Sequence, residues 1–298
     1  MAAVKGRSVK IAGHHLFYFQ FSQVLLYALL TLFVLFTALP LVYVAVTAFK
    51  PLDELFIFPP KFFTSHPVTD NFYSLLATLD NSSVPFSRYV FNSVLVSVLV
   101  VAGTVVISTM AAYGLVKHHP AGSNIIFALI LAALMFSPHV TQIPNYMVVK
   151  GLGMLDSYWA LILPKVGTAF NMFLMKQFME QLPEAYIEAA RIDGASEVKI
   201  FTRIVVPFVK PAMATLVVFS FVSTWNDYFS PLIFTSSGQM KTLPLAIQSI
   251  AGGAGAASLA TAGTMAAATF VTMIPTVLIY TIMQSKVINT MSYSGIKG

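Results

Sequence analysis

Long apolar runs alternate with short polar ones along this chain. Between Lys10 and Lys50 no Asp, Glu, Lys or Arg interrupts the run, and residues 24–49 form its strongest part. A helix that crosses a bilayer needs about 20 consecutive, mostly apolar residues, so this stretch predicts a first span. Further runs predict spans at 91–116, 125–148, 158–175, 207–234 and 264–283. Lys165 falls inside the fourth and Asp227 towards the end of the fifth. The expectation is an all-α membrane protein of six transmembrane helices. The first run is too long for a signal core and no small-residue cleavage site follows it, so it reads as a retained helix. The chain then divides into a leading segment (1–23), the first helix (24–49), a connecting loop (50–87), a core of five spans (88–285) and a tail (286–298). In the loop, Pro residues in "FPPKF" and "SHPVTDNF" argue against a continuous helix.

Composition agrees with this pattern. The 298 residues are 57% hydrophobic and only 9% charged, against about 25% charged in soluble domains; mean hydropathy is +0.79. The net charge of +6 is too sparse for a nucleic-acid stripe. With no Cys, disulfides and Cys-ligated metals are excluded. The basic residues do carry a signal, because cytoplasmic loops accumulate Lys and Arg. With a cytoplasmic N-terminus, one side holds Lys5, Arg7, Lys10, Lys117, Lys176, Arg191, Lys199, Arg203, Lys210, Lys286 and Lys297. The other holds only Lys50, Lys61, Arg88, Lys150 and Lys241. The bias predicts that both termini, and the segment between spans four and five, are cytoplasmic.

Catalytic patterns are scarce. The six His form no His-Glu-x-x-His arrangement, and neither a Walker A nor a G-x-S-x-G pattern occurs. Glu180, Glu184 and Glu188 alternate with Lys176, Arg191 and Lys199, as on a solvated helix face with i,i+4 pairs. Charges inside spans are costly and commonly functional. Lys165 either faces a polar cavity or snorkels to the interface. Asp227 sits in "STWNDYFSPL", where Trp225, Asn226, Asp227 and Tyr228 either anchor the interface or line a pathway for a polar solute. Aromatic faces beside hydrogen-bonding groups suit sugars.

Nearly half of the chain's acids fall at Glu180, Glu184, Glu188, Asp193 and Glu197, around "PEAYIEAARIDGASEVKIFTRIVVPFVKPA". Pro183 suits a first helical turn, and "EAYIEAARI" is rich in helix formers. Ala185, Ala189 and Ala190 let another backbone come close. Gly194 is a natural helix stop. Ser196 caps a second short helix with Glu197 in its first turn. Val198, Phe201 and Val205 then form one apolar stripe, and Pro207 and Pro211 mark re-entry into the fifth span. Two short helices with small residues and an apolar stripe either dock onto a partner or pack on their own spans.

"EAARIDGASEVKIFTRIVVPFVKP" resembles the EAA loop of permease subunits of binding-protein-dependent ABC importers. Glu188, Ala189, Ala190, Asp193, Gly194, Ala195, Phe201 and Pro207 fill the places of that pattern, with Val206 where Leu is commoner. "ALILPKV", the Trp-Asn-x-x-x-x-Pro-Leu of "WNDYFSPL" and the tail "SYSGIKG" are similar to the sugar-importing, maltose-type members. Lys165 departs from the apolar or aromatic residue expected after that Leu-Pro. The resemblance implies a type I importer permease fold in the bacterial plasma membrane, with residues 183–207 as the coupling loop. Glu188, Ala189, Ala190, Arg191, Asp193, Gly194, Ala195 and Phe201 would contact the ATPase. It further implies a second permease subunit, a dimer of ATP-binding subunits that carries ATP and Mg, and an outer solute-binding protein. The chain itself would be non-catalytic, with no cofactor of its own. Its small-residue stretch 249–263 occupies the position from which the maltose-type relative reaches its binding protein, and either does so here or is a loose connection. Rival readings are a permease for another solute, such as glycerol phosphate or a peptide, and an ion-coupled secondary transporter.

Overall fold

A computed structural model describes residues 21–80, 84–251 and 260–295. Helix α1 (Phe21–Ala48) is apolar on every face, and most of its side chains point outward. A helix apolar all round belongs in lipid or in a core; this one packs on the last helix of the chain and presents the rest to lipid. The segment after it folds back tightly. Val68 N–H donates to the Phe49 carbonyl at 2.9 Å. The buried Lys50 ammonium donates to the Lys61 carbonyl and lies over the Tyr43 ring. Helix α2 (Leu52–Leu55) is one turn long, and α3 (Asp70–Asp80) begins where the Asn71 amide donates to the carbonyls of Ala48 at 3.0 Å and Lys50 at 2.8 Å.

Helix α4 (Phe86–Lys117) runs through the centre of the bundle. Its buried face carries Asn92, Ser93, Ser97, Thr104, Ser108 and Thr109. Small polar residues of this kind let helices approach closely inside a membrane. The third predicted span is not one straight helix. Helices α5 (Ser123–Leu134) and α6 (Pro138–Gly151) meet at a bend of 114°. Pro138 lacks the amide proton that continuation requires and holds Ser137 extended, at ψ 139°. The fourth is also divided, into α7 (Tyr158–Val166) and α8 (Ala169–Met179). The division comes after Pro164, at Gly167 and an extended Thr168.

The chain then forms α9 (Glu184–Ile192), α10 (Glu197–Ile200), a π turn (Phe201–Val205) and α11 (Val206–Trp225). The predicted fifth span therefore starts earlier and stops sooner than its apolar run. One continuous helix covers Glu197–Trp225, and Asn226 to Tyr228 separate it from α12 (Phe229–Phe234). The helix continues through Pro207, which follows directly on the π turn at Phe201–Val205. A 3-10 turn (Gly238–Met240) and α13 (Leu243–Ala251) lead to α14 (Ala260–Gly295), whose middle is the predicted sixth span. Residues 252–259, the heart of the small-residue stretch, lie outside the described residues. At Gly263 of α14 a side chain would strike Asn71 of α3, so only glycine permits that approach.

Helix α11 packs chiefly on α4 and α14, while α4 also receives α7 and α8. Among the described residues, four helices are long and apolar enough to span a bilayer, and the bent pair α5–α6 supplies a fifth span if counted as one. The α7–α8 pair is the expected span that no single helix supplies.

At the end of the bundle where α4 begins, Asp156 fastens two connections together. It adopts φ 57° in the turn before α7. Its N–H donates to the Phe234 carbonyl at 2.8 Å, and its Oδ1 accepts from Ser236 N, Ser237 N and Ser237 Oγ, each at 3.0 Å. The backbone amide of Ser237 foremost, with that of Ser236, holds the Asp156 carboxyl below its ordinary pKa. The anchor is therefore complete above the unfolded-state value of about 4 and is lost as pH falls through the lower folded value. Asp156→Ala is expected to lower the melting temperature in detergent by about 2–4 °C at pH 7. Asp156→Asn, which keeps an acceptor and tolerates positive φ, is expected to lose less. The gap between wild type and Asp156→Ala should narrow at pH 3.

Candidate functional site

The segment 183–207 is built on a helix stop that the sequence specifies. Pro183 is extended, and α9 starts directly after it. Gly194 takes φ 74°, the left-handed region where a side chain is strained. Its N–H donates to the Arg191 carbonyl at 3.0 Å, and Ala195 N–H donates to Ala190 at 2.9 Å. These two bonds form a Schellman stop.

One face of this segment is sealed onto the bundle. Ile187 and Ile200 are fully buried with Met175, Met179 and Leu182 beside α8, and with Ala112, Tyr113 and Val116 of α4. Polar ties reinforce the seat. Lys117 donates to the Leu182 carbonyl at 2.7 Å and to Glu184 Oε2 at 2.9 Å. The Tyr113 hydroxyl donates to Glu197 Oε2 at 2.8 Å, while Arg191 pairs with Glu197 Oε1 at 3.0 Å. The expected i,i+4 pattern holds for Lys176 and Glu180, at 2.5 Å. The predicted stripe is corrected at one residue. Val205 is buried and Phe201 partly so, but Val198 is 73% exposed. The π turn adds a residue to one turn and shifts the helix phase, so Ile200 occupies the inward place instead.

The opposite face is open and carries large apolar side chains among charged ones. Ile192 is 87% exposed and Tyr186 61%. Ile192 and Val198 flank the turn at Gly194 in the chain, and Tyr186 lies in the first turn of α9. Glu188, Ala189, Arg191, Asp193 and Gly194 are exposed there, while Ala190, Ala195 and Phe201 are half-buried against the bundle.

A second site lies deeper, where two divided spans meet. Lys165, in the last turn of α7, pairs with Asp227 Oδ2 at 2.5 Å. Asp227 Oδ1 accepts from the amides of Phe229 at 2.9 Å and Ser230 at 3.1 Å, which caps α12. The pair lines a cleft of about 530 Å³ between α6, α7, α8, α11 and α12. Neutral polar groups and aromatic rings complete it, among them Gln142, Asn171, Ser220, Ser223, Phe170 and Phe219.

Other residues of the "STWNDYFSPL" cluster point elsewhere. Trp225 is buried, stacks on Phe221 and donates from Nε1 to the Thr272 carbonyl at 2.9 Å, so it packs α11 on α14. Asn226 donates to the Val222 carbonyl at 2.8 Å and reaches Thr276 of α14. Tyr228 is exposed at the surface. Asn171 and Ser220 were not singled out from sequence. The only trace of them there is a lone polar residue in an apolar run, in "AFNMF" and "VFSFV".

Comparison with known proteins agrees with the fold. Residues 10–289 match the family described as "Binding-protein-dependent transport system inner membrane component". Protein LplC of Bacillus subtilis is 37% identical over 72% of this chain and 70% of its own length. The polygalacturonan/rhamnogalacturonan transport system permease protein YtcP of the same organism is 34% identical over 76% of this chain and 77% of its own. The sn-glycerol-3-phosphate transport system permease protein UgpE of Yersinia enterocolitica is 36% identical over 70% and 73%. Among solved structures, one chain of a bacterial ABC transporter involved in the import of the acidic polysaccharide alginate superposes with a TM-score of 0.76. It covers 90% of this chain and 98% of that one at 22% identity, a likeness of fold. With a match across nearly its whole length and a bundle of membrane-length helices, the chain belongs to the inner membrane components of binding-protein-dependent transport systems.

Proposed function

We propose that this chain is the permease subunit of an ATP-driven importer for a sugar or oligosaccharide. It supplies half of a translocation pathway and catalyses no reaction itself. The observation that carries the coupling part is the two-sided segment 183–207. A buried face ties it to α4, α8 and α11, and an exposed face centred on Ile192 and Val198 awaits a partner. Exposed apolar residues around a fixed turn are what a docking surface requires. The partner is a separate ATP-binding subunit. Glu188, Ala189, Arg191, Asp193 and Gly194 form its direct contacts, and Ala190, Ala195 and Phe201 hold the turn in shape. Closure of two such subunits around ATP and Mg would move the segment, and with it α11.

The basic-residue bias supports a cytoplasmic location for both termini and for this segment. Reading α7–α8 as a broken span, alongside α5–α6, gives six crossings, an even number as this orientation requires. A second permease chain completes the pathway, and an external binding protein delivers the solute. The carbohydrate assignment rests on relatives such as YtcP and on the cleft's hydroxyl, amide and aromatic lining. UgpE, at 36% identity, favours a small phosphorylated polyol as the second reading.

Gly194→Pro cannot adopt φ 74° and loses the amide that bonds Arg191. Uptake of labelled solute by cells expressing the transporter is expected to fall to background while the membrane level of the chain stays normal. Normal uptake would sink the docking model. Ile192→Asp and Val198→Asp put charges on the proposed docking face without touching the buried one. Each is expected to weaken co-purification of the ATP-binding subunit by about tenfold or more, the scale of a central interface residue. Purified alone, the chain should hydrolyse no ATP, and hydrolysis should appear only on adding that subunit.

A further inference from the structure

The cleft between the divided spans holds one cation and one anion, and they neutralise each other. Lys165 and Asp227 are each about one-fifth exposed and 2.5 Å apart. Asp227 is also anchored from its other oxygen, which accepts the two amides that begin α12. It cannot swing away from Lys165 without uncapping that helix. The ammonium is therefore not available as a free anion site.

The groups left for a ligand are uncharged. Asn171 is 6% exposed, lines the cleft, and its side-chain amide has no hydrogen-bond partner among the described residues. Ser220 is 5% exposed and its Oγ is buried without a partner. Buried polar groups normally find partners; the unpartnered Asn171 amide opens on the cleft, where a ligand can supply them, while Ser220 Oγ lies sealed within the same wall. An amide both donates and accepts, as does a hydroxyl. Phe170 and Phe219, in edge contact at 5.5 Å between centroids, offer apolar surface beside them. A sugar ring has hydroxyls on its rim and C–H groups on its faces, and it matches both.

We infer that this cleft is a direct subsite for a neutral sugar, and that the Lys165–Asp227 pair sets its selectivity against anionic ones. A uronate or phosphate entering beside Asn171 would give up its water in a low-dielectric site, at a cost that a neutral sugar does not meet. It would find no cation to compensate, because Lys165 is engaged. This inference rests on the chain being a sugar permease and narrows the class of sugar.

The test uses the whole transporter, with both permease chains and the ATP-binding subunits in lipid nanodiscs and no binding protein. Equilibrium binding is measured for maltotriose, cellotriose, xylotriose and mannotriose, and for trigalacturonate. At least one neutral trisaccharide is expected to bind ten times more tightly than trigalacturonate. Asp227→Asn keeps an acceptor for the α12 amides but releases Lys165, and should raise trigalacturonate affinity at least tenfold. Adding Lys165→Met to that variant should remove the gain. Asn171→Leu should weaken the neutral sugar at least tenfold. Trigalacturonate binding as tight as the best neutral sugar overturns the inference in the wild type alone, before any variant is made. So does the absence of binding by every neutral sugar at 10 mM, about the weakest affinity such an assay resolves. The underlying reading is tested separately, by ATP-dependent sugar uptake with the binding protein added. Uptake that proceeds without the predicted selectivity defeats only this inference, whereas no uptake of any sugar defeats the reading beneath it.

Discussion

The Lys165–Asp227 pair stands where the membrane fold is most vulnerable. Inside a bilayer a break in a helix leaves backbone groups that water cannot satisfy, so such breaks persist only where protein covers them. Two of the breaks in this chain, at Gly167–Thr168 and at Asn226–Tyr228, lie beside the pair. One side chain beside each break meets the other across the gap. The acid also accepts the amides that start α12, so a single carboxylate serves both the pairing and the cap. Removing one partner of a buried pair leaves an uncompensated charge and is far more damaging than removing both. The pair therefore fixes how α7, α8, α11 and α12 are arranged, and with them the walls of the cleft.

Much of this arrangement was legible in the sequence, and the parts that were not share a cause. Apolar run length located α1, α4, α11 and α14 because each spans a bilayer as one helix. The same measure misjudged 125–148 and 158–175. Hydropathy averages over a window and does not register an interruption of the helix, and in both stretches the helix breaks while the chain remains apolar. Pro138 and Pro164 were visible, yet only the first marks its break; the second lies a turn before Gly167. The helix stop at Gly194 was readable because φ 74° narrows the residue choice to very few. The phase of the helix after it was not, since the π turn at Phe201–Val205 has no such residue signature.

The candidate cleft was half legible for a related reason. Lys165 and Asp227 stood out as charges in apolar runs, but their contact joins positions 62 apart in sequence. Pairing of that kind is set by tertiary packing. Trp225 shared a motif with Asp227, yet neighbouring residues at a helix end point in different directions. Its indole reaches Thr272 on α14 while the aspartate faces α7. Asn171 and Ser220 carry no charge and recur at no fixed spacing, so only the closed wall of a cleft reveals that they are left without partners.

The two candidate sites are joined by one rigid element. From Glu197 to Trp225 the chain is a continuous helix of 29 residues, about 43 Å long at the usual rise. Its first turn carries Glu197, tied to Tyr113 and Arg191 beside the proposed docking face. Its far end delivers Asp227 to Lys165. A helix this well packed moves as a body, since interiors at native density transmit displacement rather than absorb it. Its irregularities are the π turn, between the proposed docking face and the membrane portion, and Pro211 just beyond it; π turns commonly mark functional sites in helices. In the proposed coupling, a push on Ile192 and Val198 reaches the cleft through α11, whose far end leads into Asp227 and its pair with Lys165. Coupling and selectivity then fall on the same carboxylate. In the proposed mechanism, the residue that joins the two breaks is also the one that decides which charge the cleft accepts.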